Sequence, residues 1–278
     1  MKVSMGARES GPGAARRAML GATLGVAIIL AGCSTKTVRP NELTRIAYGG
    51  AVGERRVWSV EQTLRGEISF GGLPELVVVK LKGTVTETVV EALPDGGRRL
   101  RQVWTVSPPE VNGMPMGGGV SATSIEAGLL RAPSGEVAPL EGQAAETDLL
   151  LWAARTFGGF FPLLPRERVA VGERWTRVET APAAGGLEVQ RTVNARLESI
   201  GGTEALISTD GSISLARADP GAPIEEFRLE CGGEVRFDLA GGAVLASTQD
   251  GTLRLKGRAG RTPVSARARF ASKMTLRP

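Results

Sequence analysis

Few side chains in this 278-residue chain are equipped for chemistry, and their spacing limits what they could do. Two are cysteines, Cys33 and Cys231. A thiolate is a nucleophile and a soft metal ligand, but either role needs a base, a cation or further ligands nearby. The chain contains no histidine, so the commonest general base, the commonest metal ligand and the usual partner of a catalytic Ser or Cys are all missing. The carboxylates nearest element starts are Glu146, Asp148, Glu173 and Asp238. No spacing pairs them into an acid–base dyad, and acids in a first helical turn ordinarily answer the helix dipole. Glycines are abundant, yet no strand, glycine-rich loop and helix succeed one another as a phosphate cradle would require. These residues imply no catalysis, no cofactor and no metal. Ser–Lys or carboxylate-dyad chemistry stays open with nothing pointing to it. Cys231, among strand-type residues, reads as a small buried hydrophobe.

Cys33 is different because of what precedes it. Lys2, Arg8, Arg16 and Arg17 form a basic segment, Ala18 to Leu30 an apolar one, and Ala31 and Gly32 are small. The apolar stretch is too short to span a bilayer as a helix, which takes about 20 residues. Leu30-Ala31-Gly32-Cys33 resembles the lipobox of bacterial lipoproteins. That resemblance implies a diacylglycerol thioether on Cys33, cleavage between Gly32 and Cys33, and fatty acylation, such as by palmitate, of the new amino group. Two or three chains would then hold the protein stably, at about 0.8 kcal/mol per buried CH₂. The alternative is an ordinary secretory signal with a chance cysteine. Ser34 in place of Asp implies, in a Gram-negative envelope, the periplasmic face of the outer membrane. Arg16-Arg17 lacks most of a twin-arginine signal, so Sec export is expected.

The expected organisation is a signal peptide over 1–32, a lipidated N-terminus and tether over 33–54, and one β-rich domain over 55–278. Most of the formal charge of +5 resides in the leader, and the remaining charges are mixed in sign. The pI of 9.7 is therefore no argument for nucleic acid.

Alternation dominates the domain. Trp58, Val60, Leu64, Ile68 and Phe70 share one parity, and Val77, Val79, Leu81, Val85 and Val89 another. After Pro94-Asp95-Gly96-Gly97 come Leu100, Trp104 and Val106. Leu187, Val189, Val193, Ala195 and Leu197 lead to Gly201-Gly202, then Ala205 and Ile207, a break at Asp210-Gly211, and Ile213 and Leu215. Phe227, Leu229 and Cys231, then Val235, Phe237 and Leu239, precede Ala240-Gly241-Gly242 and Val244 to Leu255. Val264, Ala266, Ala268, Phe270, Met274 and Leu276 end the series. A period of two with one apolar face marks half-buried antiparallel strands, and glycine pairs mark their turns. The fold class is mainly β (α+β): a long-stranded curved antiparallel sheet or half-barrel.

One stretch departs from that period. Ala144, Ala145, Leu149, Leu150, Trp152, Ala153 and Phe157 have helical spacing, which predicts a helical insert over 142–161. It would join two halves, 55–140 and 165–278, that look alike in outline. Phe157, Phe160, Phe161, Leu163 and Leu164, with Gly158 and Gly159 between, would form a lid or lining of an apolar groove, or else a buried connection. Met114 and Met116, among glycines, would form its adaptable rim, or else a loop tip. Outward arginines such as Arg98, Arg99, Arg101, Arg267 and Arg269 read as solvated strand faces.

Pro165, then Val169-Ala170-Val171-Gly172-Glu173-Arg174-Trp175, with Gly135-Glu136-Val137 before and Phe237-Asp238-Leu239-Ala240-Gly241-Gly242 near the end, resembles an uncharacterised bacterial lipoprotein family of unknown function. The likeness covers most of 55–278. It assigns Gly172 to a turn and Trp175 to the core, and transfers no catalytic residue. In outline the pattern is similar to the half-barrels of the LolA and LppX type, lipoprotein and lipid carriers. The expectation is a membrane-anchored periplasmic lipoprotein, not an enzyme, that binds a lipid or acylated protein in the groove of its sheet. The alternative is a structural or protein-interaction lipoprotein of the cell envelope with a filled core and no ligand.

Overall fold

Among the described residues thirteen strands form a single antiparallel sheet, whose long strands include the period-two segments, while the strands over 110–111, 114–115, 123–131 and 137–139 are not marked by that period. The computed structural model describes residues 42–115, 122–140, 161–183, 187–218, 222 and 224–278. The strands are β1 (Arg55–Phe70), β2 (Leu73–Ala92), β3 (Arg98–Val106), β4 (Glu110–Val111), β5 (Met114–Pro115), β6 (Thr123–Arg131) and β7 (Val137–Pro139), then β8 (Arg174–Ala183), β9 (Leu187–Gly201), β10 (Glu204–Ala218), β11 (Ile224–Asp238), β12 (Ala243–Ala259) and β13 (Thr262–Leu276). All belong to one compact unit, Thr35–Pro278.

The order across the sheet is β7-β6-β3-β2-β1-β13-β12-β11-β10-β9-β8, with β4 and β5 off this path beside β2. The chain starts in the middle, meanders out to β7, reappears at the opposite edge as β8 and meanders back. The first and last long strands then pair along most of their length, Trp58 opposite Leu276 through to Phe70 opposite Val264. A β1 of 16 residues is about 50 Å long at some 3.3 Å per residue, so each strand crosses several environments.

The Asp210-Gly211 break is not one: β10 runs through it, as β11 runs through Gly232-Gly233 and β12 through Gly251. These glycines serve close approach, not turning. A Cβ on Gly233 would overlap the carbonyl oxygen of Thr248, and one on Gly251 that of Glu230. Glycine inside a strand often marks such a crowded spot. The expected helix over 142–161 lies outside the described residues except for Phe161, whose backbone is a bend, and there is no helix among the described residues.

One face of the sheet, here called inner, carries the core. At the end near Arg55, Trp58, Val60, Val85, Leu197, Ile207, Val235, Phe237, Val244 and Met274 pack around residues from outside the strands: Ile46, Tyr48, Phe161, Leu163, Leu164 and Val169. At the Phe70 end a second cluster holds Leu187, Val189, Ile213, Phe227, Leu229 and Phe270, with Leu64, Leu215, Leu253 and Leu255 against it. Between them runs a row of polar and small residues that register places side by side: Gln62, Ser272, Gln249, Gly233, Thr209 and Ala195.

Candidate functional site

The inner face gathers the groups that most need explaining. At the Arg55 end the segment after Phe161 is inserted among the core side chains, with Leu163 and Leu164 fully buried. Lacking regular structure, its carbonyls need outside donors. Four consecutive ones find them on four different side chains. Arg191 Nη2 donates to Phe161 at 2.9 Å, Tyr48 Oη to Pro162 at 3.0 Å, Trp175 Nε1 to Leu163 at 2.9 Å and Arg177 Nη1 to Leu164 at 3.1 Å. Burial pushes the Tyr48 phenol up, so it stays a neutral donor. Desolvation also lowers the pKa of Arg191, and the charge of Glu179 opposes that shift.

Beside this segment lies a buried ion pair. Glu87 on β2 is 1% exposed and Arg131 at the end of β6 is 4% exposed. Arg131 donates from Nη1 to Glu87 Oε1 at 2.9 Å and approaches Oε2 through Nη2 at 2.7 Å. Gln102 Nε2 adds a bond to Oε2 at 2.8 Å. The guanidinium lies over Tyr48 and Phe161, 5.0 and 4.8 Å from the ring centres. Its Nε has no hydrogen-bond partner among the described residues. A buried pair contributes little net stability, but removing one partner is costly. It fixes how Tyr48 and Phe161 sit against the sheet.

Phe161 thus meets Arg131 on β6 and Arg191 on β9, which are far apart in strand order. The two edge regions also meet. Glu136, just before β7, pairs with Arg177 on β8 and with Arg166, and Val137 N–H points at Glu179 Oε1, 3.5 Å away. In a flat sheet the ten strand spacings from β7 to β8 would separate those edges by about 48 Å. No backbone ladder joins β7 to β8, so side chains close the contact. Burial resists ionisation of Glu136. Hydrogen bonds from Ser134, its own amide and Arg166, with the charge of Arg177, outweigh that and hold its carboxyl at about 2.

The middle row is polar and tightly enclosed. Gln62, Gln249 and Ser272 are 7, 5 and 7% exposed, and Ser247 lies one row below at 1%. The hydroxyls of Ser247 and Ser272 have no partner among the described residues. Buried hydroxyls normally bond to something. Above them, every hydrophobic residue of the second cluster except Ala222 belongs to a strand. Cys231 sits here as a free, partly buried thiol, and burial pushes its pKa up.

The residues singled out from sequence are distributed unevenly. Phe161, Leu163 and Leu164 are core, whereas Met114 is 68% exposed as the first residue of β5, opposite Val111 on β4. Gly32, Cys33, Met116, Phe157 and Phe160, with Glu146 and Asp148, lie outside the described residues. Glu173 accepts from the Ala170 amide, and Asp238 from those of Ala240 and Gly241, so both shape turns. Gly172 takes a left-handed φ of 90° beside Trp175. Among the described residues no three His, Cys, Asp or Glu converge as a metal site, and no helix is long and apolar enough to cross a membrane. Glu87, Gln102, Arg131 and Arg191 were not anticipated. The signal was present, however, since each falls in the apolar phase of its strand, as in Val85-x-Glu87-x-Val89 or Val189-x-Arg191-x-Val193. No protein-family model matches the chain, and no curated protein matches it.

Proposed function

We propose that this chain is an exported lipoprotein, anchored through acyl chains on Cys33, whose sheet is rolled into a half-barrel and binds an amphiphilic lipid or acylated ligand on its inner face. The supporting observation is the unequal filling of that face. Its lower half is packed by the chain's own residues, Ile46, Tyr48 and the segment from Phe161 to Val169. Its upper half is a buried apolar cluster built almost wholly of strand side chains. At the base of that cluster stand the hydroxyls of Ser247 and Ser272, which have no hydrogen-bond partner among the described residues. An acyl chain would lie along Leu64, Phe270, Leu253, Leu229 and Phe227, with the polar end of the ligand at the middle row. Contact between the β7 and β8 edges and glycines where strands crowd are what such rolling demands. The acylated N-terminus would hold the domain at the periplasmic face of the outer membrane.

Native mass spectrometry of the full chain purified from a bacterial envelope tests this. A stoichiometric adduct of lipid mass, lost on denaturation and lost in Leu229→Arg, is expected. A clean apo mass after exposure to envelope lipid extract would overturn the carrier reading. Metabolic labelling with palmitate tests the anchor separately: label should enter the wild type and be absent from Cys33→Ser.

The rigid seating of Phe161 to Leu164 favours a second reading, a structural envelope lipoprotein whose core is filled throughout. It predicts the clean apo mass together with normal lipidation.

A further inference from the structure

We propose that the outer face of the sheet at its Phe70 end is a second, non-covalent docking surface for an anionic lipid bilayer. This reading depends neither on Cys33 nor on a ligand inside the sheet. Register places Leu76, Glu67, Arg267, Arg254 and Arg228 in one row across β2, β1, β13, β12 and β11. The next row away from the tip sets Val78, Arg65 and Arg269 side by side. Arginine therefore faces arginine directly at Arg65–Arg269, Arg267–Arg254 and Arg254–Arg228, and like charges opposite one another destabilise a sheet. All five are exposed.

Their charge is only partly answered. Glu230 engages Arg228 and Glu226 engages Lys256, while no ion pair involves Arg65, Arg254, Arg267 or Arg269 among the described residues. Two carboxylates stand inside these rows, Glu67 opposite Arg267 and Glu230 beyond Thr252 from Arg269, and Glu226 lies within reach of the charges of Arg254 and Arg267. A depression on the same face is lined by Ser69, Arg254, Lys256, Ser265 and Arg267, donors suited to phosphate oxygens, together with the carboxylates Glu67 and Glu226, so its three cations outnumber its two acids. Leu76 on this face is 64% exposed, and at the adjoining hairpin tip Phe70 and Leu73, in the register of the inner face, are 63 and 78% exposed. A soluble polyanion would use the arginines alone. Arginines beside exposed aliphatic and aromatic side chains fit a surface that is anionic outside and apolar beneath.

Flotation of the full chain with vesicles of phosphatidylcholine, or of phosphatidylcholine mixed with phosphatidylglycerol, provides the test. The N-terminus contributes equally to every variant, so the gain produced by phosphatidylglycerol isolates this surface. That gain should fall about fivefold for each of Arg254→Gln, Arg267→Gln and Arg269→Gln, and should shrink as salt is raised. Leu73→Ser with Leu76→Ser should lower binding to both vesicles and leave the salt dependence unchanged. Arg269→Glu should lose the gain while raising the melting temperature, because it faces Arg65. A loss of binding with a higher melting temperature cannot come from misfolding. A gain untouched by the arginine variants would overturn the proposal. So would heparin binding of equal strength with no effect of the leucine variants, which would mark a site for polyanions.

Discussion

The two ends of the inner face solve the same burial problem with different means. At the Arg55 end an irregular segment is held by four directed hydrogen bonds and a buried ion pair, and its apolar side chains fill the space between. At the Phe70 end the sheet side chains form the apolar cluster almost by themselves. Apolar contact is non-directional and tolerates rearrangement, whereas buried polar groups must meet particular partners or cost free energy. The first end is thus specified and the second adaptable. That contrast is why the second is the end at which a variable ligand is proposed.

The sharpest way to break the comparison is to orphan a charge. Glu87→Ala leaves the Arg131 guanidinium buried beneath Phe161 and should cost about 3–5 kcal/mol in urea unfolding. The double variant Glu87→Met with Arg131→Met should recover most of that, since a packed apolar pair often matches a buried ion pair. If the single variant unfolds like the wild type, the ion pair specifies nothing and the two ends are alike. Next in size is a matched truncation. Leu163→Ala, in the inserted segment, should cost about 2–5 kcal/mol, and Leu255→Ala, only partly buried in the second cluster, about 1 kcal/mol. Equal losses would show the second cluster to be packed as firmly as the first.

The edge contact adds a pH dependence on the Arg55 side. The Glu136 carboxyl titrates at about 2 in the folded chain against an ordinary 4.5. A depressed folded value stabilises the ionised native form, so the contribution is complete above pH 4.5 and fades as pH falls toward 2. With solvent at part of the site, on the order of 2 kcal/mol should be lost across that window. Melting curves of wild type and Glu136→Gln should converge at the acid end and separate toward neutrality. Curves that stay parallel would remove Glu136 from the closure of the edges.

Much of the sheet was legible because its strands alternate cleanly. The parity of Val264, Ala266, Ala268, Phe270, Met274 and Leu276 assigns β13 and its inner face without further information. Pairing β1 with β13 was not legible, because a period of two says which face a residue takes and nothing about which strand lies beside it. Gly211 misled, since glycine punctuates a turn and a crowded strand crossing alike, and only the neighbouring Thr192 carbonyl tells them apart. The site was half legible. Phe161, Leu163 and Leu164 stand out as apolar, but their seating depends on Tyr48, Arg177 and Arg191, donors from distant segments. The better clue was a charge in an apolar phase, as at Glu87, since a strand tolerates one only where a partner waits.

The smallest expected effect separates the two faces at the Phe70 end. Arg269 stands directly opposite Arg65 on the outer face, and neither forms an ion pair among the described residues. Replacing a like-charge cross-strand pair by an opposite one is worth roughly 0.2–1 kcal/mol. Arg269→Glu should therefore stabilise the fold by about that amount, and the gain should vanish in high salt as exposed charges are screened. Its neighbour in sequence, Phe270, points inward and is 4% exposed. Phe270→Leu should lower stability and leave salt dependence alone. Opposite signs from adjacent positions would show that the outer face at this end keeps its arginines against its own stability, while the inner face is selected for packing. A neutral Arg269→Glu would mean that the guanidinium already spreads its charge into solvent, and the arginine rows would then need no function to account for them.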